Sequence, residues 1–216
     1  MERPILFSGE MVRAILEGRK TQTRRIVKNL VNTVVGTEYS FHETKDGIWE
    51  VGFDYGNGMG DFLRYINCPY GKPGDRLWVR ETWVFRGTDM SRLGRSHLHQ
   101  DVVVQYPANK WNEIIEIDCL EAEKWMKRGN KNHSSIHMPR WASRILLEVV
   151  SVRVERLKEI SLADINAEGT PYTLHRDKRP YGSRREHFQR LWDSINGNHQ
   201  WVFNPWVWVI EFRKVD

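Results

Sequence analysis

The sequence predicts an α+β fold in a single domain spanning residues 1–216, and three observations carry that prediction. Near the N-terminus, Met11, Val12, Ile15 and Leu16 recur at helical spacing, which makes one apolar face. Residues 76–83 instead alternate, Leu77 and Val79 against Trp78 and Arg80, with the period of a strand. Residues 206–212 are apolar on both faces except for Glu211, as expected of a strand central to its sheet. A chain of 216 residues can bury a proper core and fits one domain with insertions. It contains no internal repeat and no linker-like stretch.

Residues 4–25 organise the rest. Phe7 precedes a candidate N-cap, Ser8, and Val12 follows that cap by four positions, the spacing of a hydrophobic staple. Glu10 suits the positive end of the helix dipole, and Gly18 is placed to end the helix as a left-handed residue. Arg19, Lys20, Thr21, Gln22, Thr23, Arg24 and Arg25 come next, seven polar residues expected to lie in a turn outside the core. The ordinary reading is a solvated basic loop; the sharper one is a site that carries chemistry or grips an anion. Lys20 and Thr23 are three apart and would face opposite ways on a regular strand, so they converge only if the chain turns. A lysine pKa near 10.4 must fall before the side chain acts as a base, and flanking arginines lower it.

Downstream, residues 26–27 and 31–35 read as short strands, and 52–60, with four glycines, as a loop. Lys72-Pro73-Gly74-Asp75 is a turn signal that starts the 76–83 strand, with Glu81 near its far end. Glu81 reads either as a structural partner for an arginine or as part of a site. Residues 84–138 look like an insertion, holding a strand at 101–106, a helix at 119–128 and a basic loop at 129–133. His97, His99, Cys119, His133 and His137 fall in or beside it, without Cys-x-x-Cys or His-Glu-x-x-His spacing, so no metal site and no cofactor are expected.

Arg140 and Trp141 precede a strand at 145–154 and are placed either to stack a base or to plug the end of the core. Ser161 with Asp164 forms an acidic variant of the capping box, opening a helix that runs to Glu168 and stops at Gly169. A carboxylate at a helix C-terminus is electrostatically unfavourable, so Glu168 calls for a nearby cation. Residues 170–184, with His175, Arg176, Lys178, Arg179, Tyr181 and Arg184, are a basic loop: a lid, a nucleic-acid track or simply solvated. Phe188, Leu191, Trp192 and Ile195 then mark a core-facing helix at 185–195, ended by Asn196-Gly197.

A net charge of +5 favours an anionic partner, and ten tryptophans are expected mainly in the core, with those beside arginines available to stack nucleobases. Two distant cysteines, Cys68 and Cys119, point to free thiols in a reducing compartment. No apolar run approaches the roughly 20 residues of a membrane span, and residues 1–25 lack the apolar stretch of a signal peptide. A cytoplasmic protein without membrane contact is expected; oligomeric state is not encoded in any feature of the sequence.

The run Gly18-Arg19-Lys20-Thr21-Gln22-Thr23-Arg24-Arg25 resembles the G-x-K-x-x-x-R signature of the ASCH superfamily, relatives of the PUA RNA-binding barrel. In the form G-R-K-T-x-T-x-R it is similar to bacterial N4-acetylcytidine amidohydrolases, and the longer context resembles ASCH proteins encoded in enterobacterial prophages. The likeness covers the signature, the Pro73-Gly74-Asp75 strand start and the Glu168-Gly169 helix end, and leaves about half the chain unmatched. Thr23 stands where the family motif often has an acidic residue, a departure that favours the amidohydrolase branch.

The resemblance implies a mixed, mainly antiparallel PUA-like barrel with packed helices. It implies hydrolysis of the exocyclic N4-acyl amide of cytosine nucleosides, N4-acetylcytidine to cytidine and acetate. Thr23 would be the nucleophile, Lys20 its base, and Glu168 the group that positions Lys20 and passes a proton to the leaving amine. Arg19, Arg24 and Arg25 would depress the lysine pKa or hold the oxyanion, with Arg80, Glu81, Arg140 and Trp141 as further substrate contacts. The partner is then a small modified nucleoside. The rival readings are a PUA-like module that binds RNA or single-stranded nucleic acid without chemistry, and a ribonuclease using the same cationic cleft.

Overall fold

A computed structural model of the chain describes residues 1–28, 30, 38–54, 60–88, 99–170 and 182–215. The expected strand at 31–35, most of the glycine loop at 52–60, His97, and His175, Arg176, Lys178, Arg179 and Tyr181 of the basic loop lie outside the described residues. In chain order the elements are β1 (Glu2–Leu6), α1 (Gly9–Leu16), β2 (Gln22–Ile26), β3 (Glu38–Glu43), β4 (Trp49–Asp54), β5 (Gly60–Ile66), β6 (Arg76–Arg80), β7 (Trp83–Thr88), β8 (His99–Tyr106) and β9 (Trp111–Asp118). They continue with α2 (Cys119–Arg128), β10 (Asn132–His133), β11 (Leu146–Arg156), α3 (Leu162–Ala167), α4 (Arg184–Asn196) and β12 (Trp206–Val215). The fold is α+β, and its strand pairs are mostly antiparallel. Its sheets are open, and no barrel closes among the described residues.

The chain divides into two compact units, one made of Met1, Arg19–Asp75 and Glu148–Arg213, the other of Glu2–Gly18, Arg76–Leu147 and Lys214–Asp216. In the first, β11, β12 and β2 are neighbours in that order. β12 runs antiparallel to β2, with Trp208 opposite Arg25, Val209 opposite Arg24, Ile210 opposite Thr23 and Glu211 opposite Gln22. Because side chains alternate, Val207 and Val209 share the face of Gln22, Arg24 and Ile26. That face is apolar at one end, where Val207 and Val209 pack with Leu157, Ile160, Ile165, Phe188, Trp192 and Trp201. Each large apolar side chain buried there contributes about 1.5–3 kcal/mol. Of the four residues expected on the α4 core face, Phe188 and Trp192 are buried and Ile195 is exposed. A second sheet, β3-β4-β5, is antiparallel throughout, and its Trp49 meets Trp208 edge-on, 5.7 Å between ring centres.

In the second unit, β1 and β6 pair parallel. Ser8 caps α1 as expected, its hydroxyl accepting from the Met11 N–H. The buried face of α1 is Val12, Ala14 and Ile15, with Leu16 left at the surface. Gly18 has φ +71°, the left-handed conformation that frees the chain to leave the helix. The segment 84–138 supplies most of a four-stranded sheet, β10-β7-β8-β9. α2 joins it around a core that includes Trp83, Phe85, Val104, Tyr106 and Trp125.

The single strand expected at 76–83 is two strands, β6 and β7, interrupted at Glu81 and Thr82. The contacts there are long-range: the Glu81 N–H donates to the Met138 sulfur, 3.3 Å away, and its buried carboxylate is bound by Arg144. No helix among the described residues is long and apolar enough to cross a membrane.

Candidate active site

The polar run after Gly18 is neither a solvated loop nor a turn outside the core. Lys20, Gln22, Thr23 and Arg24 are all buried, and from Gln22 the run is strand β2. The turn is confined to Glu17 and Gly18. Ahead of the strand, Lys20 forms an isolated antiparallel bridge with Glu168. The Thr21 N–H donates to the Ala167 carbonyl at 2.8 Å, and the Thr21 carbonyl accepts from Phe212 N–H at 2.8 Å. The backbone of the signature is thereby fixed on both sides.

Burying these charges is tolerable because each meets an opposite one. Lys20 is 2% exposed and Glu168 5%. The Lys20 ammonium donates to Glu168 Oε2 at 2.7 Å, to the Glu168 carbonyl at 2.9 Å and to the Gln22 carbonyl at 2.8 Å. The other carboxylate oxygen of Glu168 accepts from Arg24 Nη1 at 3.2 Å. Glu168 is the C-cap of α3, and Gly169, at φ +67°, turns the chain away. Lys20 answers both the helix-end carboxylate and a helix-end carbonyl, which removes the electrostatic objection to a glutamate there.

The network extends beyond the residues the signature names. Arg24 donates through Nε to Glu155 Oε1 at 3.0 Å and lies 3.4 Å from Asp164 Oδ2. Gln22 Nε2 donates to Asp164 Oδ1 at 3.0 Å. Arg153 joins Asp164 at 3.0 Å, Glu155 at 3.2 Å and Glu211. Three cations and four carboxylates thus interlock. Glu155, Arg153 and Gln22 were missed as site residues, and Asp164 was read only as a capping residue. One sequence signal available for the network is Glu211, the lone acidic residue at 206–212 in an otherwise apolar run. Arg153 and Glu155 at i and i+2 on β11 are another, since they share a face.

The electrostatics follow from burial and pairing. Burial has the largest influence on Lys20 and holds its pKa below the usual lysine range; the Glu168 carboxylate opposes the shift, while Arg25 and Arg24 add to it. The flanking arginines thus act in the expected direction, behind burial. At Asp164 burial alone would raise the pKa, but hydrogen bonds from Ser161 and Gln22 and the charge of Arg24 outweigh it and bring it down to about 2.

Thr23 lies one position out of phase with Gln22 and Arg24. It is 1% exposed and opposite Ile210, on the other face of β2 from the network. The structure therefore brings together Lys20, Arg24 and Glu168 and leaves Thr23 across the strand. Arg19 is exposed, with Nη1 3.5 Å from the Gly169 carbonyl. Arg25, opposite Trp208, shares the Thr23 face.

The remaining expected contacts belong to the second unit. Glu81 is 1% exposed and binds Arg144 through both oxygens, at 2.9 and 3.1 Å. The Arg144 guanidinium also lies 4.0 Å from the centre of the Tyr106 ring. Burial raises the Glu81 pKa against the pull of Arg144. Arg80 lies over Trp78, 4.6 Å from the ring centre, and donates to the Ile136 carbonyl.

Arg140 and Trp141 do not act as a pair. Arg140 binds Glu2 at 2.9 Å on the surface, whereas Trp141 packs edge-on against Trp83 and Trp125. Among the described residues no three His, Cys, Asp or Glu side chains gather as metal ligands. His133 instead packs against Trp83 and Trp125. Cys68 and Cys119 are free thiols. Comparison of the chain with known family models, curated proteins and solved structures finds no match in any of the three.

Proposed function

We propose that the chain is a cytoplasmic ASCH-type, PUA-like hydrolase of the exocyclic N4-acyl amide of cytosine nucleosides. The observation that carries the reading is the buried contact between Lys20 and Glu168, 2.7 Å long, with Arg24 on the second carboxylate oxygen. A lysine whose pKa is lowered by burial beside a carboxylate is a proton-transfer pair. In the reaction an oxygen nucleophile attacks the acyl carbon, the carbon–N4 bond breaks, and N4 leaves as the amine of cytidine after taking a proton. Glu168 passes that proton, Lys20 takes the one released by the nucleophile, and Arg24 holds Glu168 in place.

The resemblance gives the attack to the Thr23 hydroxyl. Alternation on β2 favours a water instead, because Thr23 sits on the face opposite Gln22 and Arg24. Incubating purified protein with N4-acetylcytidine and measuring release of cytidine and acetate tests the activity directly.

A non-catalytic reading has its own supporting observation. The Lys20 ammonium meets three acceptors within the protein, as expected of a structural lock in a nucleic-acid-binding module. Failure to release cytidine, with retained affinity for RNA, would decide for that module.

A further inference from the structure

The basic loop that follows α2 takes no part in the Lys20 network, and the cations around it are held differently. Arg24, Arg144 and Arg153 each meet a carboxylate. Arg86, on β7, meets side-chain amides instead. It donates through Nε to Gln105 Oε1 at 3.0 Å, through Nη2 to the same oxygen, and through Nη1 to Asn130 Oδ1 at 2.7 Å. An amide oxygen fixes a guanidinium without cancelling its charge. Those bonds also leave donors of the guanidinium fork unused.

Arg128 and Lys131 stand beside it. Arg128, the last residue of α2, lies over the Trp125 ring, 4.5 Å from its centre, a contact that uses its charge rather than its N–H donors. Lys131 follows Asn130, is exposed, and has no side-chain partner among the described residues. Asn132 and His133 pair with Val84 and Trp83, which draws the loop along β7 and brings Asn130 to Arg86. Burial lowers the His133 pKa most, and the nearby charges of Lys131, Arg128 and His137 lower it further. The acidic residues of α2 are engaged elsewhere, Glu121 with Lys124 and Trp125, and Glu123 with Lys127. Arg86, Arg128 and Lys131 are thus exposed cations that no carboxylate meets among the described residues.

We propose that Arg86, Arg128 and Lys131 form a binding site for a phosphate monoester, whose anionic group takes charge from all three and hydrogen bonds from their N–H donors. A monoester phosphate carries a charge of about −1.5 to −2 at neutral pH, against about −1 for a diester, so a cluster of cations without carboxylates favours the monoester. The site belongs to the second unit, uses no residue of the Lys20 network and does not depend on the proposed hydrolysis. The plainer account is that Arg128 and Lys131 answer the negative end of the α2 dipole. That account does not extend to Arg86, which stands on β7, and it predicts no affinity for phosphate.

Magnetic resonance of the full chain, read at the backbone N–H groups of residues 129–133 during titration with ribose 5-phosphate, tests the proposal. These signals should shift saturably, and ribose, which lacks the phosphate, should leave them in place. Arg86→Gln and Arg128→Gln should each weaken binding by about tenfold, and Lys131→Gln by about threefold. Lys127→Gln, which removes a neighbouring cation paired with Glu123, should leave affinity within about twofold of the parent. The Lys131 side chain holds nothing else in place, so its variant keeps the test decisive should a change at Arg86 disturb the loop. The proposal is overturned by absence of a saturable shift, by a shift that chloride reproduces at matched ionic strength (an adventitious ion only), or by affinity that survives the Arg86 and Lys131 changes. A single-stranded oligonucleotide without terminal phosphates that binds more tightly than ribose 5-phosphate would make the diester backbone the ligand and overturn the monoester assignment.

Discussion

Lys20 and Glu168, 148 positions apart in sequence, are joined twice: the lysine ammonium donates to the glutamate carboxylate at 2.7 Å and to the same residue's carbonyl at 2.9 Å. One contact neutralises a buried charge and the other satisfies the end of α3. The pair is thereby a structural element as well as a candidate proton-transfer site, and substitutions there act on both.

A lysine outside the apolar face would be expected to be dispensable for folding. Burial and pairing reverse that expectation. Lys20→Met keeps the aliphatic stem but leaves Glu168 facing Arg24 alone, and breaking a buried pair costs about 3–5 kcal/mol. Urea denaturation should show a loss of that order. Turnover of N4-acetylcytidine by the folded fraction should fall by about 10²–10⁴. Parent-like stability would mean that the pair contributes nothing, and parent-like turnover would remove Lys20 from the mechanism.

Thr23→Val separates a hydroxyl nucleophile from a water. The residue is buried in β2 opposite Ile210, a setting that suits valine, so melting should be little changed. With water as nucleophile, turnover should stay within about threefold of the parent, a barrier change well below the 1.4 kcal/mol of a tenfold effect. A collapse of turnover with substrate affinity retained, measured by chromatography and calorimetry on one preparation, would return the attack to Thr23.

Asp164 gives the network a pH signature. Its folded pKa of about 2 lies below an unfolded value of about 3.9, so the folded state binds fewer protons between the two. The resulting stabilisation is complete above the unfolded pKa and is lost as pH falls through the folded one. Melting temperature should therefore drop between about pH 4 and 2. Asp164→Asn should be less stable at neutral pH and approach the parent at the acid end. Parallel curves across that range would show that Asp164 is not linked to folding.

Glu81→Gln addresses the second unit. The residue is buried against Arg144, and amidation leaves that guanidinium facing a neutral group. Stability should fall by about 1–3 kcal/mol, the cost of a weakened buried charge-assisted contact. The KM for N4-acetylcytidine should stay at its parent value if Glu81 acts only as a structural partner of Arg144. A raised KM with unchanged melting would make it a substrate contact.

Local rules read from the sequence alone determined the elements. The Ser8 cap, the Gly18 exit, the capping box at Ser161 and Asp164, and helix 119–128 depend on neighbours a few positions apart, and each stands as expected. The anomaly of a glutamate at a helix end also pointed correctly to a cation, because the helix dipole is a local property. Tertiary structure alone decided the rest. Whether Lys20, Gln22 and Arg24 are solvated or buried depends on Glu155, Asp164 and Glu168, more than 130 positions away. Long-range pairing also made residues 22–26 a strand, and the two-residue period then set Thr23 on the opposite face from Gln22 and Arg24. Charge pairing across such distances has no local sequence pattern, since any carboxylate in the chain is an eligible partner until folding selects one.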